Sequence, residues 1–370
     1  MAIYIHQLPH WPGFTWNQEL VSPLLAETRN RQGRLLGRME GLGFPLQAEA
    51  SLQTLTMEVV KSGEIEGEIL DANQVRSSIA RRLGLEIAGM VQTDRHVDGV
   101  VEMLLDATQQ YQQVLTAERL FGWQAALFPT GRSGMYKITV GAWRDHTAKD
   151  PMLVVSGAMG KEKIHFVAPD AYRLEEEMQR FISWFNEDRQ MDPVLKAAVA
   201  HLWFVTIHPF DDGNGRIARA ITDLQLSRSD QSAQRFYSMT AQIRRERSEY
   251  YDILESTQKG SMDITNWLTW FLHCLGRSLN ASNEILAAVL QKARFWEKHA
   301  TTFLNPRQQL MLNKLLDGFE GKLNTSKWAK ITKTSPDTAL RDIQDLMNKK
   351  ILMKEVGGGR STSYVLIPTV

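Results

Sequence analysis

The stretch that decides the fold runs from residue 208 to residue 219 and reads His208-Pro209-Phe210-Asp211-Asp212-Gly213-Asn214-Gly215-Arg216-Ile217-Ala218-Arg219. Apolar residues at helical spacing on both sides predict that it connects two helices. The upstream helix begins near Asp192-Pro193, a capping residue followed by a proline suited to a first turn. The downstream helix follows Gly215. The second helix of the pair therefore starts inside the stretch.

This loop is suited to bind a polyphosphate. Gly213 and Gly215 let the backbone approach a ligand closely and adopt positive φ angles. The helix that begins there presents unpaired N–H groups and the positive end of its dipole. Arg216 and Arg219 are three residues apart, so they are neighbours on one helix face. Two guanidinium groups at this place suit phosphate oxygens.

Two further side chains of the stretch indicate that the loop takes part in catalysis as well as in binding. Asp212 offers the hard oxygen ligand that Mg²⁺ requires. His208 has an unperturbed pKa near neutrality, so it can act as a general base. Each residue taken singly is also compatible with packing or capping, because glycine-rich turns before helices are common. The complete string at fixed spacing favours a functional loop.

The stretch matches the signature of Fic-domain proteins, HPFx(D/E)GNGRxxR, at every defined position. The chain resembles this family from residue 95 to residue 295. An upstream region with YIHQLPHWPGFTW and VRSSIARRLGL resembles the domain of unknown function that precedes some Fic cores. The usual reaction of the family transfers AMP from ATP to a Ser, Thr or Tyr hydroxyl of a protein and releases pyrophosphate. The resemblance thus implies a protein adenylyltransferase that uses ATP and Mg²⁺.

The resemblance also assigns roles to single residues. His208 would deprotonate the target hydroxyl, and Asp212 would hold Mg²⁺ between the α- and β-phosphates. The phosphate oxygens would be bound by Gly213, Asn214, Gly215, Arg216 and Arg219. Tyr250 and Tyr251 resemble aromatic residues on the adenine side of the family's site, although a tyrosine pair on a helix is also a common packing feature.

A second motif lies nearer the N-terminus, where Ser62-Gly63-Glu64-Ile65-Glu66-Gly67 matches the family's inhibitory motif (S/T)xxxE(G/N). Ser62 and Glu66 are four residues apart and share one face of a helix. The resemblance implies that Glu66 pairs with Arg219 and keeps this cation from the γ-phosphate. The alternative is that Glu66 lies on a solvated face, because the surrounding segment is rich in glutamate.

Strand signals flank a glycine-containing loop and predict a hairpin over residues 153–167. The resemblance implies that this hairpin is the flap beside the catalytic loop. Its exposed edge would dock an extended segment of the target protein by main-chain hydrogen bonds and present a hydroxyl to His208. On spacing alone, an ordinary surface hairpin is the simpler interpretation.

The C-terminal segment predicts a winged helix-turn-helix, with helices over 306–316, 326–332 and 336–349 and a hairpin over 352–366. From residue 306 onward eleven Lys and Arg oppose six Asp and Glu, a balance of +5 that is typical of DNA binding. However, Asp337, Asp342 and Asp345 lie on the predicted recognition helix and would repel phosphates. We therefore favour a protein-contact or dimerisation role over DNA binding.

The composition excludes several other classes of protein. The 370 residues include a single cysteine, Cys274, which excludes an intramolecular disulfide framework. A net charge of +1 predicts no general attraction to nucleic acid or to a membrane. The sequence shows no signal peptide and no apolar run near the roughly 20 residues that span a bilayer, so we expect a cytoplasmic protein.

We therefore expect a mainly α-helical protein of three parts. These are an N-terminal helical region with the inhibitory helix (1–95), a Fic core with a β-hairpin flap (96–300) and the winged helix-turn-helix (301–370). A protein target, self-modification and a symmetric homodimer are the expected interactions. The alternatives are a metal-dependent hydrolase with His208 and Asp211 or Asp212 as ligands, a DNA-binding regulator with the Fic core as nucleotide sensor, and a Fic enzyme that removes AMP or transfers another phosphate-containing group.

Overall fold

The structure, a computed structural model, describes residues 3–87, 89–146, 151–157, 163–187, 191–319, 321–355 and 362–367. The chain is mainly helical with small antiparallel hairpins, which confirms the predicted fold class. It forms two compact units. One comprises Met1–Leu85 and Val91–Asn283, and the other comprises Glu86–Met90 and Glu284–Val370. Among the described helices, none combines the length and the apolar character that crossing a bilayer requires.

The first unit is built from helices and two short hairpins. Its helices are α1 (Gln18–Glu40), α2 (Phe44–Ile65), α3 (Ala72–Arg82), α4 (Arg95–Gln109), α5 (Ala117–Leu127), α6 (Leu174–Asn186), α7 (Pro193–Ile207), α8 (Asn214–Asp230), α9 (Met239–Arg245) and α10 (Arg247–Gln258). Its hairpins are antiparallel and pair β1 (Arg132–Ser133) with β2 (Tyr136–Lys137), and β3 (Leu153–Ser156) with β4 (Lys163–Val167). A long helix, α11 (Thr265–Lys298), begins in this unit and continues into the second.

Helix α7 is the centre of the first unit, because every residue from Val194 to Ile207 is buried. The predicted start of this helix is confirmed: Asp192 caps it by accepting a hydrogen bond from the N–H of Val194. Helix α8 packs along α7. The first turn of α11 also contacts α7, because Trp267 Nε1 donates to the carbonyl of Ala198 at 2.9 Å. The loop between α7 and α8 is thus held by a rigid helix pair.

The boundary expected between residues 95 and 96 does not separate compact units. Helix α2 packs on α8 and α9, and α4 packs on α8 as well. A buried hydrogen bond joins α2 to the segment before α9, since Ser238 Oγ donates to Glu58 Oε2 at 2.5 Å. The polar sequence near residue 95 therefore marks a loop, and the helices on both sides of it share one core.

The predicted hairpin over residues 153–167 is formed, with a register shift between Val154 and Val155. Its loop, residues 158–162, lies outside the described residues. An N-terminal segment supports the hairpin from behind: Tyr4 packs edge-on against Phe166, and a ring nitrogen of His6 contacts the carbonyl of Val167 at 2.9 Å. This packing holds β4 beside the first unit's core.

The second unit contains α12 (Pro306–Leu316), α13 (Thr325–Thr332), α14 (Pro336–Asn348) and a hairpin of β5 (Leu352–Lys354) with β6 (Tyr364–Leu366). This is the predicted order of elements, and Trp328 lies in the middle of its core. The unit begins at Glu284, earlier than the expected boundary at residue 301, because the end of α11 packs into this core through Phe295. The predicted glycine turn, residues 357–359, lies outside the described residues.

One acidic residue of the predicted recognition helix faces inward. The carboxylate of Asp342 is buried, and Arg307 donates to it through Nε at 2.7 Å and Nη2 at 3.0 Å. Asp345 also has internal partners, Gln308 and Lys349. The sequence-based argument that these acids repel DNA phosphates is therefore wrong for Asp342. The winged-helix assignment and its partner stay predictions.

Candidate active site

The loop between α7 and α8 begins with an unusual backbone. His208 caps the end of α7 with φ 54° and ψ 58°, in the left-handed region that non-glycine residues seldom adopt. Such a conformation persists only where the surroundings enforce it, and it is common at functional sites. Gly213, with φ 88°, caps the start of α8. A Cβ at Gly213 would lie 3.0 Å from the ring of Phe128, so this position also needs glycine for lack of space.

The loop opens onto a cavity of about 900 Å³, formed by the end of α2, the β3–β4 hairpin, the start of α8 and helix α10. Most of the predicted site residues line it together: Glu66, His208, Asp212, Asn214, Gly215, Arg219, Tyr250 and Tyr251. Ser62 and Arg216 instead line a narrow internal void of about 10 Å³. The structure therefore brings the two sequence motifs to one place.

The imidazole of His208 is held in a form that can accept a proton. Its Nδ1 lies 3.2 Å from the carbonyl of Val205. A carbonyl can only accept, so Nδ1 carries the hydrogen and Nε2 keeps a free lone pair. Burial lowers the pKa of His208 to about 4. The ring is thus neutral at pH 7.

A buried arginine that the sequence analysis missed holds the loop in place. Arg144 Nε donates to the carbonyl of His208 at 2.8 Å, and its main-chain N–H donates to the carbonyl of Pro209 at 2.9 Å. Its Nη2 donates to the carbonyl of Pro169, just after β4, at 2.6 Å. Burial lowers the pKa of Arg144 to about 10. No local pattern marks this residue, because its partners lie far along the chain.

The two acids of the loop have different surroundings. Asp211 Oδ2 accepts from the N–H of Thr139 at 2.7 Å, which ties the segment after β2 to the loop. Asp212 accepts from Ser133 Oγ and from the N–H of Gly213, while its carboxylate lines the cavity. One carboxylate on a phosphate site suits Mg²⁺, which keeps waters and takes further oxygens from phosphates.

A metal site built by protein side chains alone needs several ligating groups around one point. Within the part of the chain that the structure describes, no group of three or more His, Cys, Asp or Glu side chains is arranged to hold a metal ion. The hydrolase alternative needs such a group around His208. It therefore gains no support from the geometry.

Asn214 clamps the loop with its side chain. Its Oδ1 accepts from the N–H of Phe210 at 3.0 Å, and its Nδ2 donates to the carbonyl of Phe210 at 2.8 Å. Both polar ends of this buried side chain are thus committed to the loop. Any contact of Asn214 with phosphate would come from its main-chain N–H at the first turn of α8.

The first turn of α8 holds a carboxylate of the same chain. A Cβ at Gly215 would lie 2.6 Å from Glu66 Oε1. The unpaired N–H groups and the positive dipole end of a helix N-terminus favour an anion at this place. Glu66 therefore occupies the site that the sequence analysis assigns to phosphate.

Arg219 is buried and bound from α2. Its Nη2 donates to Glu66 Oε1 at 2.7 Å, and its Nε donates to Ser62 Oγ at 3.1 Å. Burial is the largest single effect and lowers the pKa of Arg219, but the Glu66 carboxylate together with Tyr250 and Tyr251 outweighs it, so the pKa is raised. Glu66 is itself an exposed residue that lines the cavity, and its carboxylate is nevertheless committed to Arg219. The predicted Glu66–Arg219 pair is present.

Arg216 has a separate carboxylate partner, which the sequence analysis missed. Its Nη1 lies 3.3 Å from Glu68 Oε2, and its guanidinium covers the ring of Phe128 at 5.0 Å. Glu68 in turn pairs with His96. The hydrogen bond between them lowers the pKa of Glu68 and raises the pKa of His96. Both arginines of the motif are therefore held by acids that follow α2.

The two tyrosines of α10 differ in accessibility. Tyr250 is buried, and its hydroxyl contacts His201 Nε2 at 2.9 Å, so it belongs to the packing around α7. Burial raises the pKa of Tyr250. Tyr251 is 37% exposed, and its ring lies 5.2 Å from the guanidinium of Arg247. Of the two, Tyr251 is thus the more accessible from the cavity.

Comparison with known proteins agrees with this geometry. Residues 114–226, which include α7, the loop and most of α8, match the family model described as Fic/DOC family. The chain contains a Fic/DOC domain. Residues 4–85 match a domain of unknown function, DUF4172. The expected family resemblance is therefore confirmed for the Fic/DOC domain.

Several curated relatives of the Fic/DOC domain carry the same name. Over 105 residues the chain is 35% identical to "Protein adenylyltransferase Fic" of Culex quinquefasciatus and 35% identical to the protein of that name from Drosophila ananassae. Each match covers 28% of this chain, and 19% or 20% of the relative. This chain thus spans about a fifth of the length of these relatives.

Solved structures share the fold. A Fic family protein from Desulfovibrio desulfuricans G20 covers 97% of this chain and 99% of its own, with a TM-score of 0.55 at 18% identity. Fic-1 from C. elegans covers 75% of this chain and 76% of its own, with a TM-score of 0.51 at 20% identity. At sequence identities this low, the similarity to these two structures concerns the fold alone.

Proposed function

We propose that the protein is an adenylyltransferase that moves AMP from ATP to a Ser, Thr or Tyr hydroxyl of a protein target and releases pyrophosphate. One observation carries the proposal. A neutral His208 and the anion-binding start of α8 with Arg219 line one cavity of the Fic/DOC domain. The name of the curated relatives supports the same reaction.

The chain's own groups suffice for the proton transfer and the binding of the leaving group. His208 Nε2 takes the proton of the target hydroxyl, whose oxygen attacks the α-phosphorus as the bond to the β-phosphate breaks. The pyrophosphate leaves towards the N–H groups of α8, with the Arg219 guanidinium beside it. Asp212 would hold Mg²⁺, which supplies neutralisation of phosphate charge when bound.

The β3–β4 hairpin is the proposed docking strand for the target. Its residues from Met152 to Ser156 line the cavity beside His208. An extended segment of the target would pair with the free edge of this hairpin through main-chain hydrogen bonds. Because main-chain hydrogen bonds depend little on the side chains of the target segment, the hairpin would accept several targets.

Glu66 is the proposed brake on the reaction. Its carboxylate occupies the start of α8 and neutralises Arg219, so the γ-phosphate of ATP would meet a negative group instead of a cation. ATP would then bind with its α-phosphate turned from the target hydroxyl. A displacement of about 1 Å can lower a rate roughly a hundredfold. Self-modification, a homodimer and a DNA contact of the second unit stay predictions from the sequence.

Labelled ATP tests the proposed reaction. The Glu66→Gly variant is incubated with a cell lysate, Mg²⁺ and ATP that carries the label at either the α- or the γ-phosphate. We expect protein-bound label from α-labelled ATP only. Label from γ-labelled ATP would instead indicate a kinase-type transfer, and no label from either would contradict the proposal.

A further inference from the structure

A chain of three side chains outside the residues assigned so far lies on the rim of the same cavity. Ser156 Oγ lies 2.5 Å from Nε2 of His165, and Nδ1 of His165 lies 2.5 Å from Oε2 of Glu255. Ser156 is the last residue of β3, His165 is on β4, and Glu255 is on α10. All three line the cavity.

The charges fix the direction of the hydrogen bonds. Lys259 Nζ contacts the other oxygen of Glu255 at 2.5 Å, and this bond together with that of His165 lowers the pKa of Glu255 to about 2. The carboxylate is therefore ionised and can only accept, so Nδ1 of His165 carries the hydrogen. In the neutral imidazole, Nε2 then presents its lone pair to the Ser156 hydroxyl, which donates.

This is the order of groups that activates a serine for attack. A histidine oriented by a carboxylate removes the hydroxyl proton while the oxygen forms a bond. Anchoring of the hairpin to α10 is already achieved by the bond between His165 and Glu255. The hydroxyl of Ser156 is not part of that bond, and it is exposed at the cavity where a nucleotide would bind.

We propose that Ser156 is an acceptor of AMP within this chain and that His165 is its base. This inference rests on the proposed adenylyltransferase function, which supplies ATP. Ser156 Oγ bonds to the α-phosphorus, its proton passes to Nε2 of His165, and the bond to the β-phosphate breaks as pyrophosphate leaves. The product is a phosphodiester between Ser156 and AMP. Glu255 is a positioning residue, because it acts through His165.

Peptide mass spectrometry tests the proposal on the full chain. The Glu66→Gly variant is incubated with ATP and Mg²⁺, and the site of AMP attachment is mapped. We expect AMP on Ser156, its loss in Ser156→Ala, and its retention on the new hydroxyl in Ser156→Thr. The His165→Asn change should lower this modification at least about a hundredfold, the lower range for loss of a general base, and Glu255→Gln should lower it as well.

A serine elsewhere in the same cavity provides a control for the general effect of replacing a serine there. Ser248 also lines the cavity, and Ser248→Ala should retain AMP on Ser156. A thermal unfolding curve for each variant shows that the chain is folded. AMP found only on other residues would overturn the inference while leaving the proposed function intact, and so would undiminished modification of Ser156 in His165→Asn. No AMP on this chain or on any lysate protein would contradict both proposals.

Discussion

Oε1 of Glu66 lies 2.7 Å from Nη2 of Arg219 and, at the same time, beside Gly215 in the first turn of α8. One carboxylate thus lies at the positive end of a helix and also pairs with a buried guanidinium. These are the two features of the Fic/DOC domain best suited to phosphate. This placement is the reason for the proposal that Glu66 competes with the γ-phosphate of ATP.

Removal of the carboxylate should favour ATP over AMP. In Glu66→Gly, Arg219 can bond to the γ-phosphate, which AMP lacks. A hydrogen bond to a charged group contributes about 1.5–3 kcal/mol, so the Kd for ATP should fall roughly tenfold or more. Isothermal titration with ATP and AMP measures both values. The matched control is Glu49→Gln, an acid of α2 that pairs with Arg76 instead. Equal gains for ATP and AMP would contradict competition at the γ-phosphate.

The side-chain clamp of Asn214 should contribute strongly to stability. In Asn214→Ala, the buried N–H and carbonyl of Phe210 both lose their partner. Each such group costs about 1–3 kcal/mol, so the free energy of unfolding should fall by about 2–6 kcal/mol. Urea unfolding of the full chain, followed by tryptophan fluorescence, measures this loss. The Asn214→Asp variant keeps the acceptor and should lose less. A loss below about 1 kcal/mol in Asn214→Ala would show that the loop does not depend on the clamp.

Two buried histidines should make the protein sensitive to acid. Burial lowers the pKa of His201 to about 3 and that of His208 to about 4, against about 6.5 in an unfolded chain. Between those values the unfolded state binds more protons, so stability rises with pH and falls as pH drops below about 6.5. Each histidine should account for roughly 2 kcal/mol between pH 7 and pH 5. Thermal unfolding of wild type and His201→Gln from pH 5 to pH 8 checks this, and the variant should lose less on the acid side. An identical acid loss in the two proteins would contradict the neutral state of His201.

His96 should give the opposite dependence on pH. Its hydrogen bond with Glu68 raises the pKa of His96, with Arg216 opposing and Asp94 adding to the effect. The stabilisation is present below the unfolded pKa and is lost as pH rises through the raised value. The His96→Gln variant should therefore lose less stability than wild type between pH 6 and pH 9. Thermal unfolding over that range is the measurement. Parallel curves would indicate that the His96–Glu68 pair carries no charge.

The motif at residues 208–219 was enough to predict the α7–loop–α8 unit, since glycine, proline and capping residues act locally. The pairing of Glu66 with Arg219 came from resemblance, and the structure places the two side chains in contact. Arg144, Glu68 and His96 could not be found in this way. Each acts on a partner far along the chain, and a local pattern contains no information about such contacts.

Spacing also leaves the partner of a side chain undetermined at particular positions. Arg216 and Arg219 share a helix face by sequence, yet Arg216 turns towards Glu68 and does not line the cavity. The role of the Asn214 side chain depends on the left-handed backbone at His208 and Gly213, which brings Phe210 within its reach. The Ser156–His165–Glu255 chain depends on the register of one hairpin against α10, which no sequence motif marks.

The most direct test of the account is the initial rate of AMP transfer from α-labelled ATP to lysate proteins. It compares wild type, Glu66→Gly and Glu66→Gly/His208→Ala at equal enzyme concentration near pH 7. We predict that Glu66→Gly exceeds wild type by about tenfold to a hundredfold and that the double variant falls to background. Equal rates for wild type and Glu66→Gly would contradict the brake. An unchanged rate in the double variant would contradict the role of His208 as base.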